Sequence, residues 1–90
     1  MYLIDKERIY WRKVEGETVL LNMDSGHYYS LNDVGSLVWE MISEGYDVEE
    51  VVLKLQKEYE IDPGVLTKDV KSILKRLEKE GLVTAEQIKK

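Results

Sequence analysis

The sequence contains no cysteine, and only one histidine and one proline among its 90 residues. Without cysteine the chain forms no disulfide, thiolate metal site or iron–sulfur cluster, and it offers no cysteine nucleophile. His27 stands alone, whereas metal and acid–base sites need several converging groups. No serine lies in a nucleophile-elbow motif, and no glycine-rich loop leads from a strand into a helix. We therefore predict that the protein is not an enzyme and uses no metal and no cofactor.

Long apolar runs are also missing. No apolar stretch approaches the roughly 20 residues that span a bilayer. Asp5, Lys6, Glu7 and Arg8 stand where a signal peptide would need an apolar region. A net charge of −5 argues against general binding to nucleic acid or to anionic membranes, because both depend on cationic surface. These absences predict a cytoplasmic protein whose partners include no nucleic acid and no membrane.

The composition is that of a folded domain. Hydrophobic residues make up 43% of the chain and charged residues 34%, a balance that favours a patterned globular fold over disorder. The chain has no repeat and no linker, so residues 1–90 are predicted to form one domain. A domain of this size buries only about 60% of the surface that its unfolded chain exposes. Nearly every element must therefore contribute to the core.

The first third of the chain is predicted to form three antiparallel strands. Arg8–Val14 is rich in strand-forming residues, and Glu17–Met23 alternates in the period of two that strands require. Glu15-Gly16 supplies the first turn, and Asp24-Ser25-Gly26 supplies the second. His27–Ser30 follows as a third short strand. The result is a meander of three strands.

The remaining two-thirds are predicted to form three helices. Capping residues mark their starts: Asn32 or Asp33, Asp47 with Glu50 as a capping box, and Asp62 before Pro63. The first helix should end near Glu44, and Gly81 should stop the third and longest one. Residues 82 and 83 can pack back on the core, and residues 84–90 are predicted to be a frayed tail. This is an α+β, winged-helix-like fold: a three-stranded antiparallel sheet followed by three helices.

Winged-helix domains often bind DNA through the third helix, so a DNA-binding regulator is the alternative function. The third helix does carry a cluster of basic residues: Lys68, Lys71, Lys75, Arg76 and Lys79. It has only one arginine and no asparagine or glutamine to read base edges. The hairpin tip begins with Asp24, where a DNA-binding wing would carry lysine or arginine. A solvated helix face explains the lysines equally well.

Binding of a partner peptide fits the sequence better. His27–Ser30 is short and need not be covered on both sides, and an unpaired strand offers N–H and C=O groups to one more strand. Strand addition supplies affinity through the main chain, while adjacent pockets select side chains. Tyr28 and Tyr29 must point to opposite faces, so one should enter the core while the other stays available to a ligand.

The third helix supplies a second candidate surface. At 100° per residue Leu66, Val70, Ile73 and Leu77 cluster around one direction, and Leu74 lies to one side of it. Leu74 therefore either completes the core or lines a groove beside it. If it lines a groove, Leu74 with Thr67 and Lys71 would hold an apolar side chain and an adjacent acidic one.

The order of several motifs resembles the PqqD-like family. The motifs are Tyr28-Tyr29-Ser30-Leu31-Asn32, then Gly35 and Trp39, and then Leu77–Val83 with Gly81. The founding member of that family is the peptide chaperone of pyrroloquinoline quinone biosynthesis. The same fold serves as the recognition element for ribosomally made precursor peptides that are later modified. The likeness covers nearly all of the chain past Glu7.

The resemblance implies a discrete, non-catalytic adaptor that binds the leader segment of a precursor peptide. In the family the leader docks as an extra strand against the third strand and lies beside the third helix. By position, the strand side would be Tyr28, Tyr29, Ser30 and Leu31, and the helix side would be Thr67, Val70, Lys71, Leu74 and Lys75. A radical-SAM enzyme or the leader peptidase of a lasso-peptide pathway would receive the peptide. The lasso type is preferred, and a homodimer through the strand edge stays open.

Overall fold

The computed structural model describes residues 2–85 and contains five strands and three helices. The elements, in chain order, are β1 (Tyr2–Leu3), β2 (Ile9–Val14), β3 (Glu17–Asn22), β4 (Tyr28–Leu31), α1 (Asp33–Ser43), α2 (Val48–Tyr59), α3 (Pro63–Lys79) and β5 (Thr84–Ala85). Strands β2, β3 and β4 form an antiparallel sheet in that order, and β1 pairs with β5 in a separate two-stranded sheet. The predicted α+β fold, with three antiparallel strands followed by three helices, is confirmed.

Two turns of different construction fix the register of the main sheet. Glu15 and Gly16 both have positive φ, 51° and 85°, as the two-residue type I′ hairpin requires, and Val14 therefore pairs with Glu17. The second turn is held by the side chain of Asn22, whose Oδ1 accepts from the N–H of Asp24 at 3.0 Å. These turns place β3 in the centre of the sheet and β4 at one edge.

The predicted caps start all three helices. Oδ1 of Asn32 accepts from the N–H of Gly35 at 2.9 Å at the start of α1. Asp47 and Glu50 form a reciprocal capping box at the start of α2. Asp62 accepts from the first amides of α3. Each cap satisfies N–H groups that a helix start leaves unpaired.

The helices cover one face of the main sheet, which is called the inner face below. Helix α1 packs on β3 and β4, and α2 packs on α3. The core is made of buried apolar side chains from the sheet, the helices and the segment after α3: Ile9, Leu20, Val38, Trp39, Met41, Ile42, Val51, Val52, Leu55, Leu66, Val70, Leu74, Leu77, Leu82 and Val83. Trp39 is fully buried and meets the Trp11 ring edge-on, with ring centroids 5.3 Å apart. The expectation that residues 82 and 83 pack on the core is confirmed.

Three details differ from the sequence expectations. Thr84 and Ala85, predicted to belong to a frayed tail, pair with Leu3 and Tyr2, while residues 86–90 lie outside the described residues. The third strand of the sheet is Tyr28–Leu31, one residue later at both ends than the expected His27–Ser30. Arg8 and Met23, predicted to belong to the first two strands of the sheet, lie just outside β2 and β3.

Candidate peptide-binding site

Strand β4 is an edge of the main sheet. Within residues 2–85 it pairs with β3 on one side and with no strand on the other. In an antiparallel pair, successive residues direct their main-chain N–H and C=O groups alternately toward the partner and away from it. The register therefore decides which residues of β4 are available to an additional strand.

The hydrogen bond at the hairpin fixes this alternation. The N–H of Asn22 donates to the C=O of His27 at 3.0 Å, so these two residues are hydrogen-bonded across the strands. Every second pair along the strands is hydrogen-bonded in the same way, which places Tyr29 and Leu31 in bonds to β3. Tyr28 and Ser30 therefore direct their N–H and C=O groups away from β3. Within residues 2–85 these four groups form no hydrogen bond. They form a ready edge for one more antiparallel or parallel strand.

A groove lies directly beside this edge, between β4, the start of α1 and one flank of α3. Its volume is about 580 Å³. The lining residues are Tyr29, Ser30, Leu31, Asn32, Val34, Gly35, Asp69, Ser72, Ile73, Arg76, Leu77, Glu80 and Leu82. The apolar members form a floor for an apolar side chain. Of the polar members, Asp69, Ser72 and Arg76 lie along α3, and the others lie on β4 or at helix ends. Apolar clefts with a few polar groups are typical binding sites.

Gly35 allows the close approach of α1 and β4 at one end of the groove. A Cβ atom there would lie 3.3 Å from Cβ of Leu31 and 3.3 Å from Oδ1 of Asn32. Any larger residue would push the start of α1 away from the strand. The glycine thus sets the width of the groove at this end.

Polar contacts at the other end join β4 to the end of α3. The Tyr29 hydroxyl donates to Oε2 of Glu80 at 3.2 Å. Partial burial of the phenol raises the pKa of Tyr29, and the hydrogen bond and the charge of Glu80 raise it further. Arg76 and Asp69 also line the groove, and neither forms an ion pair within residues 2–85. The site therefore offers a phenol, two carboxylates and one guanidinium around an apolar floor.

The structure brings the predicted strand residues to the site. Tyr29, Ser30 and Leu31 line the groove. Tyr28 contributes its main chain to the edge, while its side chain lies on the opposite face of the sheet and is exposed. The prediction that the two tyrosines point to opposite faces is confirmed.

The predicted helix residues lie elsewhere. Val70 and Leu74 are fully buried in the core, and Thr67, Lys71 and Lys75 do not line the groove. Ile73 lines it instead, and Leu74 completes the core, which was one of the two positions that the periodicity left open. The periodicity locates the centre of the apolar stripe but does not tell which flank faces the strand edge, because that depends on how α3 crosses its neighbours.

Sequence reasoning missed several groove residues. Asn32, Val34 and Gly35 enter the site because α1 starts immediately after β4. Asp69, Ser72 and Arg76 recur at three- and four-residue spacing with Ile73 and Glu80 on the other flank of α3. That spacing was readable from the sequence. The direction in which it faces was not.

Two kinds of feature are absent from the described residues. Residues 2–85 contain no group of three or more side chains that could hold a metal ion. None of the helices in this range combines the length and the apolar character that crossing a membrane requires. The geometry thus defines a small α+β domain with an open strand edge beside a groove, which is the class of domain that binds extended peptides.

Comparison with known families gives the same class. The sequence profile described as "Coenzyme PQQ synthesis protein D (PqqD)" matches residues 17–83. The chain belongs to the PqqD family, and the resemblance noted from its motifs is confirmed. Among curated proteins, none matches this chain significantly.

Two solved structures share the fold. The first, TbiB1 in complex with the TbiA(beta) leader peptide, is 28% identical and has a TM-score of 0.87 over 94% of this chain and 98% of that chain. The second, a lasso peptide synthetase B1 complexed with its leader peptide, is 24% identical and has a TM-score of 0.85 over 93% of this chain and 98% of that chain. Both structures hold a leader peptide.

Proposed function

We propose that this protein is a non-catalytic adaptor that binds the leader segment of a ribosomally made precursor peptide by strand addition. The observation that carries the proposal is the unpaired edge of β4, where Tyr28 and Ser30 direct four main-chain groups away from β3, beside a groove of about 580 Å³. An added strand would pair with these groups. Its alternate side chains would enter the groove between β4 and α3.

The groove suggests how the leader is held. Ile73, Leu77 and Leu31 form an apolar floor that suits one apolar side chain of the peptide. Strand pairing is independent of sequence, so the selection of a leader rests on this floor and on the polar groups of α3. In the revised site, Ile73 and Arg76 take the roles that were predicted for Leu74 and Lys71.

The bound leader would be delivered to a separate enzyme. The leader-bound state of the two solved relatives supports this function, and the name of the second supports a lasso-peptide pathway. The partner would then be a leader peptidase, with a radical-SAM enzyme as the alternative. The adaptor would raise the local concentration of its substrate at that enzyme without taking part in the chemistry.

Hydrogen exchange at single amides tests the proposal. The probe is a synthetic peptide covering the leader of a ribosomally made precursor identified in the genome of the source organism. Without peptide, the amides of Tyr28 and Ser30 should exchange rapidly while that of Tyr29 is protected by β3. With peptide, Tyr28 and Ser30 should become protected as well. Binding that leaves these two amides unchanged would contradict strand addition.

The same titration separates the adaptor from a DNA-binding regulator. Mixed-sequence duplex DNA at physiological salt should produce no change in the amide NMR signals of the protein. A clear shift that weakens as salt is added would instead favour the winged-helix regulator, because phosphate contacts depend on counterion release.

A further inference from the structure

The α3 wall of the groove carries charges of both signs. Asp69 and Arg76 both line the groove, about two helical turns apart, and Ile73 lies between them. Glu80, the C-cap of α3, lies about one turn beyond Arg76 and lines the groove as well. All three charged residues are exposed. Two carboxylates and one guanidinium therefore border the space that an added strand would enter.

The guanidinium of Arg76 has a nearby acidic residue but does not pair with it. Residues four apart on a helix are neighbours, with Cβ atoms about 5–6 Å apart, and opposite charges at that spacing attract each other. Glu80 is the one acidic residue three or four positions from Arg76 in the sequence. The ion pairs found between residues 2 and 85 all lie elsewhere in the domain. Arg76 is therefore open to a ligand.

Tyr29 gives Glu80 a different partner. The Tyr29 side chain lies on the inner face of the main sheet and reaches the end of α3, where its hydroxyl donates to Oε2 of Glu80 at 3.2 Å. The carboxylate thus bonds across to β4 instead of back to the preceding turn of its own helix. The contact engages the acidic neighbour that could otherwise neutralise Arg76.

The spacing of residues along this wall matches that of an added strand. Ile73 and Arg76 are about 4.5 Å apart along the helix axis, at 1.5 Å per residue. Side chains on one face of a strand are about 6.6–6.8 Å apart. The long side chain of Arg76 covers the difference. A peptide that places one side chain on Ile73 therefore brings its next groove-facing side chain, two positions along, within reach of the guanidinium.

We propose that Arg76 selects leaders that carry an acidic side chain at the groove-facing position next to the apolar one, and that Tyr29 keeps Arg76 available by holding Glu80. The inference rests on the proposed leader binding and adds the chemistry of the leader that is selected. Arginine is suited to this role, because its planar guanidinium binds a carboxylate through two parallel hydrogen bonds. Tyr29 is then a positioning residue, which acts on the leader through Glu80 and Arg76.

Asp69 confines the acidic side chain to one direction along the groove. It lies on the other side of Ile73 and repels a carboxylate at that position. Main-chain pairing is independent of sequence, so strand addition alone leaves the register of the peptide weakly specified. An acidic residue that is accepted beside Arg76 and rejected beside Asp69 sets the register of the leader and its chain direction.

The test measures affinities by fluorescence polarisation with the full chain. The ligands are the synthetic leader and versions of it in which each acidic residue is replaced in turn by its amide. The protein variants are Arg76→Gln, Tyr29→Phe, Glu80→Gln and the combination of the last two. Lys79→Gln is the matched control, because it removes a positive charge from the same turn of α3 at a position that does not line the groove.

Arg76→Gln should weaken binding of the unmodified leader about tenfold, whereas Lys79→Gln should leave it unchanged. One amide-substituted leader should lose about as much affinity for the unmodified protein, and Arg76→Gln should then cause no further loss. Tyr29→Phe should weaken binding about two- to fivefold, because Glu80 then pairs with Arg76. Adding Glu80→Gln to Tyr29→Phe should restore the affinity, since the amide carries no charge to neutralise the guanidinium.

Equal effects of Arg76→Gln and Lys79→Gln would overturn the selection by Arg76, as would a leader whose affinity survives every amide replacement. A loss in Tyr29→Phe that persists when Glu80→Gln is added would overturn the positioning role of Tyr29. Binding of the leader without any dependence on these charges would overturn this inference alone. Failure of the leader to bind the unmodified protein would refute the proposed function itself.

Discussion

Replacing Ser30 by proline should weaken peptide binding and leave the fold intact. The N–H of Ser30 points away from β3 according to the register, so its loss removes no hydrogen bond from the protein. Proline is tolerated on an edge strand where the N–H faces solvent. Its ring also restricts Tyr29 to extended backbone, which that residue already adopts. We expect the free energy of unfolding to change by less than about 1 kcal/mol.

The effect on peptide binding follows from the two main-chain groups of Ser30. The substitution deletes the donor, and the ring stands where the carbonyl of the added strand would approach. The neighbouring bond from the C=O of Ser30 is then lost too. At about 0.5–1.5 kcal/mol for each hydrogen bond, the loss is about 1–3 kcal/mol. This corresponds to a dissociation constant raised about 5- to 150-fold.

Fluorescence polarisation with a labelled leader measures the affinity, and urea unfolding measures the stability. Ser30→Ala is the matched control, because it removes the hydroxyl and keeps the N–H. Lys13→Pro places a proline on the opposite edge strand, β2, and should leave peptide binding unchanged. A folded Ser30→Pro protein that binds the leader within twofold of the unmodified protein would refute strand addition at β4. An unfolded one would refute the assigned register.

Two further predictions test the positions of Ile73 and Leu74 on α3 and the contact between β4 and the end of α3. Leu74→Ala should destabilise the protein by about 2–5 kcal/mol in urea unfolding, while its folded fraction binds the leader normally. Ile73→Ala should weaken leader binding with a smaller loss of stability. If Leu74→Ala instead weakens leader binding more than Ile73→Ala does, Leu74 lines the groove. Because the pKa of Tyr29 is raised above 10.0, its neutral form stabilises the fold below pH 10 and this contribution is lost as the pH rises further. The urea midpoint should therefore fall more steeply above pH 10 in the unmodified protein than in Tyr29→Phe, and parallel curves would contradict the assigned contact with Glu80.

The local chemistry of the sequence was sufficient to predict the order of the main elements. Caps such as Asn32 and Asp47 act within three residues of themselves, so their effect can be read directly from the sequence. The same holds for the Glu15-Gly16 turn. The pair formed by β1 and β5 escaped prediction, since two-residue strands are too short to show a period. Their pairing joins residues from the two ends of the chain, and no local pattern encodes it.

The candidate site could be predicted only in part, for a geometric reason. The edge strand was identified from its length and position, and Tyr29, Ser30 and Leu31 do line the groove. On α3 the sequence left the flank open, and the structure buries Leu74 and places Ile73 along the groove. The two residues lie on either side of the stripe centre and both are apolar. Which of them is buried depends on the packing of α3 against α2, a tertiary contact.

The pairing of Tyr2 with Ala85 has a consequence for protein engineering. Antiparallel partners have Cα atoms about 4.5–5.5 Å apart, so the entrance and the exit of this domain are neighbours. A domain built in this way can be inserted into a surface loop of a host protein without forcing the loop ends apart. Grafted into an enzyme that modifies peptides, the domain would bring the proposed peptide-binding edge of β4 with it.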